Sequence, residues 1–301
     1  MNYNKCLNCE KEVVFVLPSL CRNHFSEYVE EKVFSTIYKY HLLEAGEKIV
    51  VAASGGKDSL TLLHILSKKY LLECLSVDEG IENYREKTIS VLRKFCGERN
   101  IPLTVVSYKE EFGGNLDKFL SGKGAPCSTC GTFRRYLLNK YAKEYDKICT
   151  GHNMDDEAQA VIMNLIRPNI EAMAKTGPVS GISKNKSFVQ RVKPLYFLRE
   201  KEIVTYAFLN GIPLDFDECP HAGESYRAKV RDLLNDYEAR NPGTKQGIVD
   251  FFISILPKIK SSVRINGVNS CICCNEPSKE EVCNTCKILQ SKKPNQLIQI
   301  S

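Results

Sequence analysis

Lys48-Ile49-Val50-Val51-Ala52-Ala53-Ser54-Gly55-Gly56-Lys57-Asp58-Ser59 is the stretch that decides the fold. A short apolar, β-branched run ending in small residues reads as a buried strand. Beyond the glycines, Leu60, Leu62, Leu63 and Leu66 form a helical stripe. Strand, glycine loop and helix in succession present backbone N–H groups and a helix N-terminus to an oxyanion. Gly55 and Gly56 let the backbone approach phosphate closely. Lys57 adds a cation, and Ser54 and Ser59 add hydroxyl donors. It is no Walker A loop, which needs four residues between its first glycine and the G-K-[ST] end.

Strand-like runs recur outward from this loop, at 49–53, 72–77, 103–107 and 147–150. Helical patterns lie between them, so the chain reads as α/β with a doubly wound parallel sheet. Ligand then sits at the strand C-terminal ends, where Ser54, Val77 and Thr150 fall. After the 147–150 run comes Gly151-His152-Asn153, and Met154-Asp155-Asp156-Glu157 opens a helix continued by Ala158, Val161, Ile162 and Leu165. Carboxylates in a first turn suit the helix dipole, and Asp155 and Asp156 could also hold Mg2+ against a pyrophosphate. His152 is either a catalytic base or, the simpler reading, a turn-stabilising side chain. Further helices are expected at 30–45, after Pro194–Arg199, and over 225–240. The Gly/Ser/Lys-rich stretch 180–193 reads as a loop or hairpin.

Fourteen cysteines are the strongest compositional signal. In a reducing compartment, clustered cysteines read first as metal ligands or catalytic groups. Cys6, Cys9, Cys21 and His24 form C-x2-C and C-x2-H knuckles eleven residues apart, a ligand set for tetrahedral Zn2+. Cys271, Cys274, Cys283 and Cys286 have zinc-ribbon spacing, with Cys273 a spare thiol inside the first knuckle. Neither terminal segment can bury a core alone, so metal binding would supply its folding free energy. Three organisational units follow: residues 1–25, a zinc finger; 26–262, the catalytic domain; and 263–301, a zinc ribbon. Cys74, Cys96 and Cys149 read as core thiols. Cys127 and Cys130, in Pro126-Cys127-Ser128-Thr129-Cys130-Gly131, and Cys219, in Glu218-Cys219-Pro220-His221, stand apart. They do not complete a structural zinc site unless His221 joins. Three thiolates suit a [4Fe–4S] cluster with one iron left open, or a redox pair with a bystander thiol.

Apolar residues at 43% and charged residues at 26% describe an ordinary soluble globular chain, which excludes disordered and collagen-like classes. No run approaches the ~18 uncharged apolar residues of a membrane helix, and the N-terminus lacks the apolar core of a secretion signal. A cytoplasmic protein without a membrane partner is expected. The net charge of +6 is mild. Its local excesses, at Arg134–Arg135, Lys184–Lys193, Arg227–Arg231 and Lys287–Lys293, suggest RNA backbone binding in company with two zinc modules.

The S-G-G-K-D-S loop resembles the PP-loop of the adenine-nucleotide α-hydrolases, which cleave ATP between the α and β phosphates. With C-x2-C…C-x2-H, P-C-x-x-C-G, T-G-H-N-x-D-D, E-C-P and the ribbon in this order, the chain resembles the PP-loop tRNA uridine 2-sulfurtransferases. That resemblance implies ATP, Mg2+, two zincs, tRNA, a homodimer, and a ubiquitin-like sulfur-carrier protein or free sulfide as donor. It places ATP on Ala53, Ser54, Gly55, Gly56, Lys57, Asp58, Ser59, Val77, Arg135, Gly151 and Asp156. It gives catalytic roles to Lys57, Asp58, Cys127, Cys130 and Cys219, and favours the [4Fe–4S] cluster on these three thiols over the redox pair. Leu75-Ser76-Val77-Asp78-Glu79-Gly80-Ile81 with Tyr84-Arg85, and Gly131-Thr132-Phe133-Arg134-Arg135, resemble the branch acting on the wobble uridine more than the T-loop branch. The alternatives are T-loop ribothymidine thiolation, cytidine 2-thiolation, another PP-loop ligase or amidotransferase, and a non-catalytic zinc-ribbon RNA scaffold.

Overall fold

The chain starts with a small hairpin, β1 (Phe15–Val16) and β2 (Ser19–Leu20), which runs into α1 (Arg22–Lys39). Alternation then follows: β3 (Ile49–Ala52), α2 (Lys57–Leu66), β4 (Leu72–Asp78), α3 (Arg85–Glu98), β5 (Leu103–Ser107). Two short helices, α4 (Tyr108–Phe112) and α5 (Leu116–Leu120), precede α6 (Pro126–Tyr141), β6 (Lys147–Thr150), α7 (Met154–Ile166) and α8 (Ile170–Ala174). The remainder is β7 (Gln190–Val192), α9 (Glu200–Leu209), α10 (Tyr226–Arg240), α11 (Thr244–Ser262), the hairpin β8 (Asn269–Ser270) and β9 (Pro277–Ser278), and α12 (Asn284–Lys292). This computed structural model describes residues 5–120, 126–182, 187–215, 217–223, 225–264 and 267–292.

Strands β3 to β7 form one parallel sheet in the order β5-β4-β3-β6-β7. The chain winds outward from β3 to β5 and then crosses back to β6, so the order reverses between β3 and β6. In open α/β sheets ligands bind at that reversal, outside the strand C-terminal ends. The S-G-G-K-D-S loop leaves β3 there and the G-H-N turn leaves β6 beside it.

Strand alternation divides the core between the two faces. Ile49, Val51, Cys74, Cys149 and Val192 pack with α1, α2, α3 and α9 residues such as Phe25, Leu63, Phe95 and Tyr206. Val50, Leu75, Val77, Val106 and Ile148 pack on the other face with Phe133 and Leu137 of α6. The ribbon cysteines Cys271, Cys283 and Cys286 belong to this second cluster, so the C-terminal module is built onto α6. Cys74, Cys96 and Cys149 are buried as core thiols.

Three elements differ from the sequence expectation. The helix expected at 30–45 is α1, which begins at Arg22, ends at Lys39, and places His24 in its first turn. Phe25, Val29, Val33 and Ile37 are its buried stripe; Leu42 and Leu43 are buried in the following loop. The cysteine motif conceals this start because its ligands interrupt the apolar spacing. Within 180–193, residues 190–192 form the fifth strand; residues 183–186, and part of the Lys184–Lys193 charge stretch with them, lie outside the described set. An edge strand of three residues, two of them polar, carries no apolar run to recognise. Helix α11 was not expected at all: apolar side chains on several faces and the internal Pro257 hide its stripe.

Candidate active site and metal-ligand clusters

The phosphate loop is held by its own side chains. The Gly55 N–H donates to Ser59 Oγ at 3.3 Å and the Gly56 N–H to Ser54 Oγ at 3.3 Å. Ser59 Oγ donates in turn to the Gly56 carbonyl at 2.9 Å. Gly55 sits at φ +91°, and a Cβ there would lie 2.2 Å from the Thr88 carbonyl oxygen, so only glycine fits. The buried Arg85 anchors the loop from behind, donating to the Ser54 carbonyl at 2.5 Å and the Ser76 hydroxyl at 2.9 Å. Ala53 is buried and its N–H donates to the Leu75 carbonyl at 3.0 Å. Val77 is buried at the end of β4, with its carbonyl accepting from Arg85 Nε at 3.1 Å.

The G-H-N turn closes against this loop. A Cβ on Gly151 would lie 3.1 Å from the Asp58 carbonyl carbon and 3.1 Å from the Ser59 nitrogen, so the two motifs touch through backbone. Asn153 caps α7 and its amide donates to Asp58 Oδ1 at 3.1 Å. Asp156 completes a capping box with Asn153 and pairs with Arg227 Nη1 at 3.3 Å. Lys57 Nζ lies 3.1 Å from Asp58 and 2.8 Å from Glu200. Burial alone would lower the Lys57 pKa, but Asp58 and Glu200 more than offset it and raise it. Burial raises the Asp58 and Asp156 carboxyls, and Asp156 adds repulsion at Asp58. Two carboxyls raised by burial beside a phosphate loop, one adding repulsion at the other, are suitable ligands for a divalent cation. Asp155, the other candidate for Mg2+, is turned away: it accepts from Lys245 Nζ at 2.5 Å and the Glu200 N–H at 2.8 Å.

His152 stabilises the turn, its Nδ1 lying 2.9 Å from Thr150 Oγ1. Burial and the cations Lys193, Arg227, Arg134 and Arg191 push its pKa down to about 3, which leaves a weak base. Its ring still reaches solvent. Arg134 is exposed as well and lies close enough to act on His152, so the G-H-N turn and α6 border one solvent-open cleft.

Helix α6 leads from this cleft to the odd thiols. Cys127 is exposed, and Cys130 and Cys219 are half-buried. The 217–223 segment brings Cys219 to Cys127, whose Sγ donates to the His221 carbonyl at 3.7 Å. His221 does not join the thiols: its ring nitrogen is 2.8 Å from Asp117. Burial, and secondarily Glu79, raises the Cys130 pKa; burial, then Cys127 and Glu79, raises that of Cys219. Tyr108 donates to the Cys130 carbonyl at 2.8 Å. The three thiols therefore feel one another, yet among the described residues they do not converge as the ligands of a single ion do. That spread fits a group wider than one ion.

The two quartets do converge, each with donor atoms within 4.8 Å of one another. Cys9 and Cys21 sulfurs are 3.6 Å apart, and Cys274 and Cys283 sulfurs 3.7 Å. A tetrahedral ion with ~2.3 Å metal–sulfur bonds separates its sulfurs by about 3.8 Å. His24 Nδ1, 3.3 Å from Cys6 Sγ and 3.4 Å from Cys21 Sγ, completes the first set. Cys273 stays outside the second set, accepting from Gln290 at 3.4 Å.

The structure thus unites Ser54, Gly55, Gly56, Lys57, Asp58, Ser59, Gly151 and Asp156 around one cleft. Arg135 lies farther along α6, its guanidinium folded towards Gly131. Glu200, Asn153, Arg227 and Tyr108 were not singled out by the sequence as site residues, and Glu79 only as part of a branch signature. Arg227 had a trace in its basic stretch; Glu200 looked like any first-turn acid.

A PP-loop domain profile matches residues 26–237, so the chain belongs to the PP-loop family. Within it, the chain is 36% identical over 296 residues to a tRNA-5-methyluridine(54) 2-sulfurtransferase of Pyrococcus horikoshii, covering 96% of this chain and 94% of that one. It is 34% identical to the cytoplasmic tRNA 2-thiolation protein 1 of Danio rerio, over 95% of this chain and 88% of the relative. Its fold superposes on the U34-tRNA thiolase NcsA of Methanococcus maripaludis, solved with its [4Fe-4S] cluster, with a TM-score of 0.84, 31% identity and 97% of each chain covered. The chain belongs to the PP-loop tRNA sulfurtransferases. No helix among its described residues is long and apolar enough to cross a membrane.

Proposed function

We propose that this chain is an ATP-dependent enzyme that adenylates O2 of the tRNA wobble uridine and replaces it with sulfur. The observation that carries this reading is the pairing, by one helix, of a phosphate-loop cleft with a three-thiol centre. Uridine O2 is a poor leaving group. The loop amides and Lys57 would hold the β and γ phosphates, with Asp58 and Asp156 holding Mg2+ and Arg135 meeting a nucleotide phosphate. Uridine O2 attacks the α-phosphorus and pyrophosphate departs. A sulfide sulfur then attacks C2, and AMP leaves with the former O2. A [4Fe–4S] cluster on Cys127, Cys130 and Cys219 would supply, when bound, an iron without a protein ligand at which sulfide can be held. The terminal quartets would hold two structural Zn2+. A sulfur-carrier protein or free sulfide as donor, a homodimer, and a cytoplasmic location belong to the same proposal.

Support for the wobble uridine comes from Asp78-Glu79-Gly80-Ile81 and Phe133-Arg134-Arg135. Asp78 Oδ1 accepts from the Gly80 N–H at 2.8 Å, and the buried Glu79 lies 2.6 Å from Arg85 and 3.8 Å from Arg134. The 36% identity to a position-54 enzyme favours the T-loop reading instead. The test incubates enzyme, ATP and sulfide with tRNAs for Lys, Glu and Gln and with a T-loop minihelix, followed by nucleoside mass spectrometry. Sulfur in the anticodon together with AMP and pyrophosphate supports the proposal. Sulfur in the minihelix alone reverses the choice of uridine, and ADP as the main product refutes the adenylation step.

A further inference from the structure

The cleft cations are not equally partnered. Arg134 has Glu79 at 3.8 Å, Arg227 has Asp156 at 3.3 Å, and Lys193 has Glu157 at 2.7 Å. Among the described residues, Arg135 and Arg191 take part in no such ion pair. They are nonetheless brought together. Arg191 follows Gln190 on β7 in register with Ile148, whose side chain packs on the α6 face, while Val192 packs on the opposite face. Alternation therefore sends Arg191 to the α6 side. There its Nη2 donates to the Arg135 carbonyl at 3.0 Å. One bond to a carbonyl leaves most of the five guanidinium donors free. Burial, and then Arg135 and Arg134, push the Arg191 pKa down to about 10; burial and Arg134 lower that of Arg135. Like charges crowded without a counter-ion are a standing cost that an oxyanion would remove.

We infer that Arg191 is a phosphate-binding residue of the RNA site, taking a phosphodiester oxygen next to the uridine that reacts. This rests on the tRNA reading above and deepens it. In that reaction two phosphates meet at one uridine: the AMP phosphate on O2 and the phosphodiester of the RNA chain. Two cations without ion-pair partners among the described residues match that pair: the Arg191 guanidinium on the Arg135 carbonyl, and the Arg135 guanidinium folded over Gly131. Arg135 is the residue that the proposed function gives to the nucleotide. Arg191 sits on the sheet edge, two strands or about 10 Å from β3, where RNA can enter. No other role in the proposed function uses Arg191.

The test measures tRNA affinity of the full chain from about 50 to about 200 mM salt, alongside ATP affinity and the thermal midpoint. Each phosphate contact contributes about one unit to the slope of log K against log salt. Arg191→Gln should lower that slope by about one and weaken tRNA about fivefold to tenfold, with ATP affinity within about twofold of the parent. Arg191→Lys, which keeps the charge but not the planar fork, should keep the slope. Should Arg191→Gln unfold, Arg191→Met carries the test with the same expected fall in slope. An unchanged slope in Arg191→Gln, or a fall in ATP affinity with the slope intact, overturns the proposal while leaving the tRNA reading standing. Failure of the parent chain to bind tRNA overturns both.

Discussion

The two terminal cysteine quartets and the central cysteine triplet arrange the same side chain in opposite ways. In each quartet the donors close on a point, and one or more thiols are already acidic. Burial raises the Cys6 thiol, but backbone N–H groups around Cys21 and Asn8 and the His24 ring outweigh it and bring its pKa down to about 6. Cys286, then the backbone and Cys274, lower Cys283 to about 5 against the effect of burial. In the triplet, Cys127 faces solvent and burial raises both Cys130 and Cys219, whereas each quartet sets lowered thiols beside raised ones: Cys6 beside Cys9, and Cys283 beside Cys286. In the proposed reading a closed quartet would give a metal every ligand it needs and serve structure, while a triplet with an exposed member would leave a coordination position for chemistry.

The largest expected effect separates the two directly. Cys130→Ser should lose tRNA thiolation by on the order of 10³-fold or more, as when a group at a reacting centre is removed. Zinc content by elemental analysis and the thermal midpoint should stay at parent values. Loss of zinc in this variant would erase the distinction between triplet and quartets. Lys57→Ala, at the other end of the same cleft, should slow pyrophosphate release roughly 10²-fold, the usual loss for a preorganised charge contact. Iron content should not change. A normal pyrophosphate rate in Lys57→Ala would remove the phosphate loop from the chemistry.

The quartets should respond in stability. Cys283→Ser should release one zinc of two and cost roughly 4 kcal/mol, the range in which a lost structural metal falls. For a chain of this size that lowers the thermal midpoint by about 10 °C. Because Cys283 packs in the same cluster as α6, thiolation should fall as well, but in step with the folded fraction. An undiminished midpoint would mean that the ribbon folds without its metal.

The sequence was most legible where chemistry requires fixed spacing. The phosphate loop, both quartets and the strands at 103–107 and 147–150 could be read because glycines, paired ligands and apolar runs leave periodic marks. What could not be read depends on the tertiary fold. β7 is too short and polar to announce itself, so Arg191 had no visible neighbour until register set it beside Arg135. Asp155 and Asp156 look alike in sequence. One side of α7 turns Asp155 to Lys245 and the other leaves Asp156 at the cleft. Glu79 looked like a specificity signature, yet its carboxylate joins Arg85 and Arg134. Apart from Arg85, six residues from Glu79, these partners lie more than fifty residues away and leave no trace in a single chain's local pattern.

The smallest effect addresses the joint between quartet and triplet. Glu276, buried beside the ribbon, reaches back to α6: its Oε1 lies 2.5 Å from Lys143 Nζ, and its Oε2 accepts from Asn139 Nδ2 at 3.2 Å. Glu276→Gln keeps the size and the metal ligands but removes the charge. Lys143 is half exposed and can return to water, so the cost should be about 1 kcal/mol. The midpoint should then fall by about 2–4 °C, with zinc retained. If the ribbon also holds α6 in place for Cys127 and Cys130, thiolation measured well below the midpoint should drop by about twofold to threefold, with pyrophosphate release unchanged. A lower midpoint with parent thiolation would confine the ribbon to bracing the fold, and the quartet and triplet would then be neighbours without coupling.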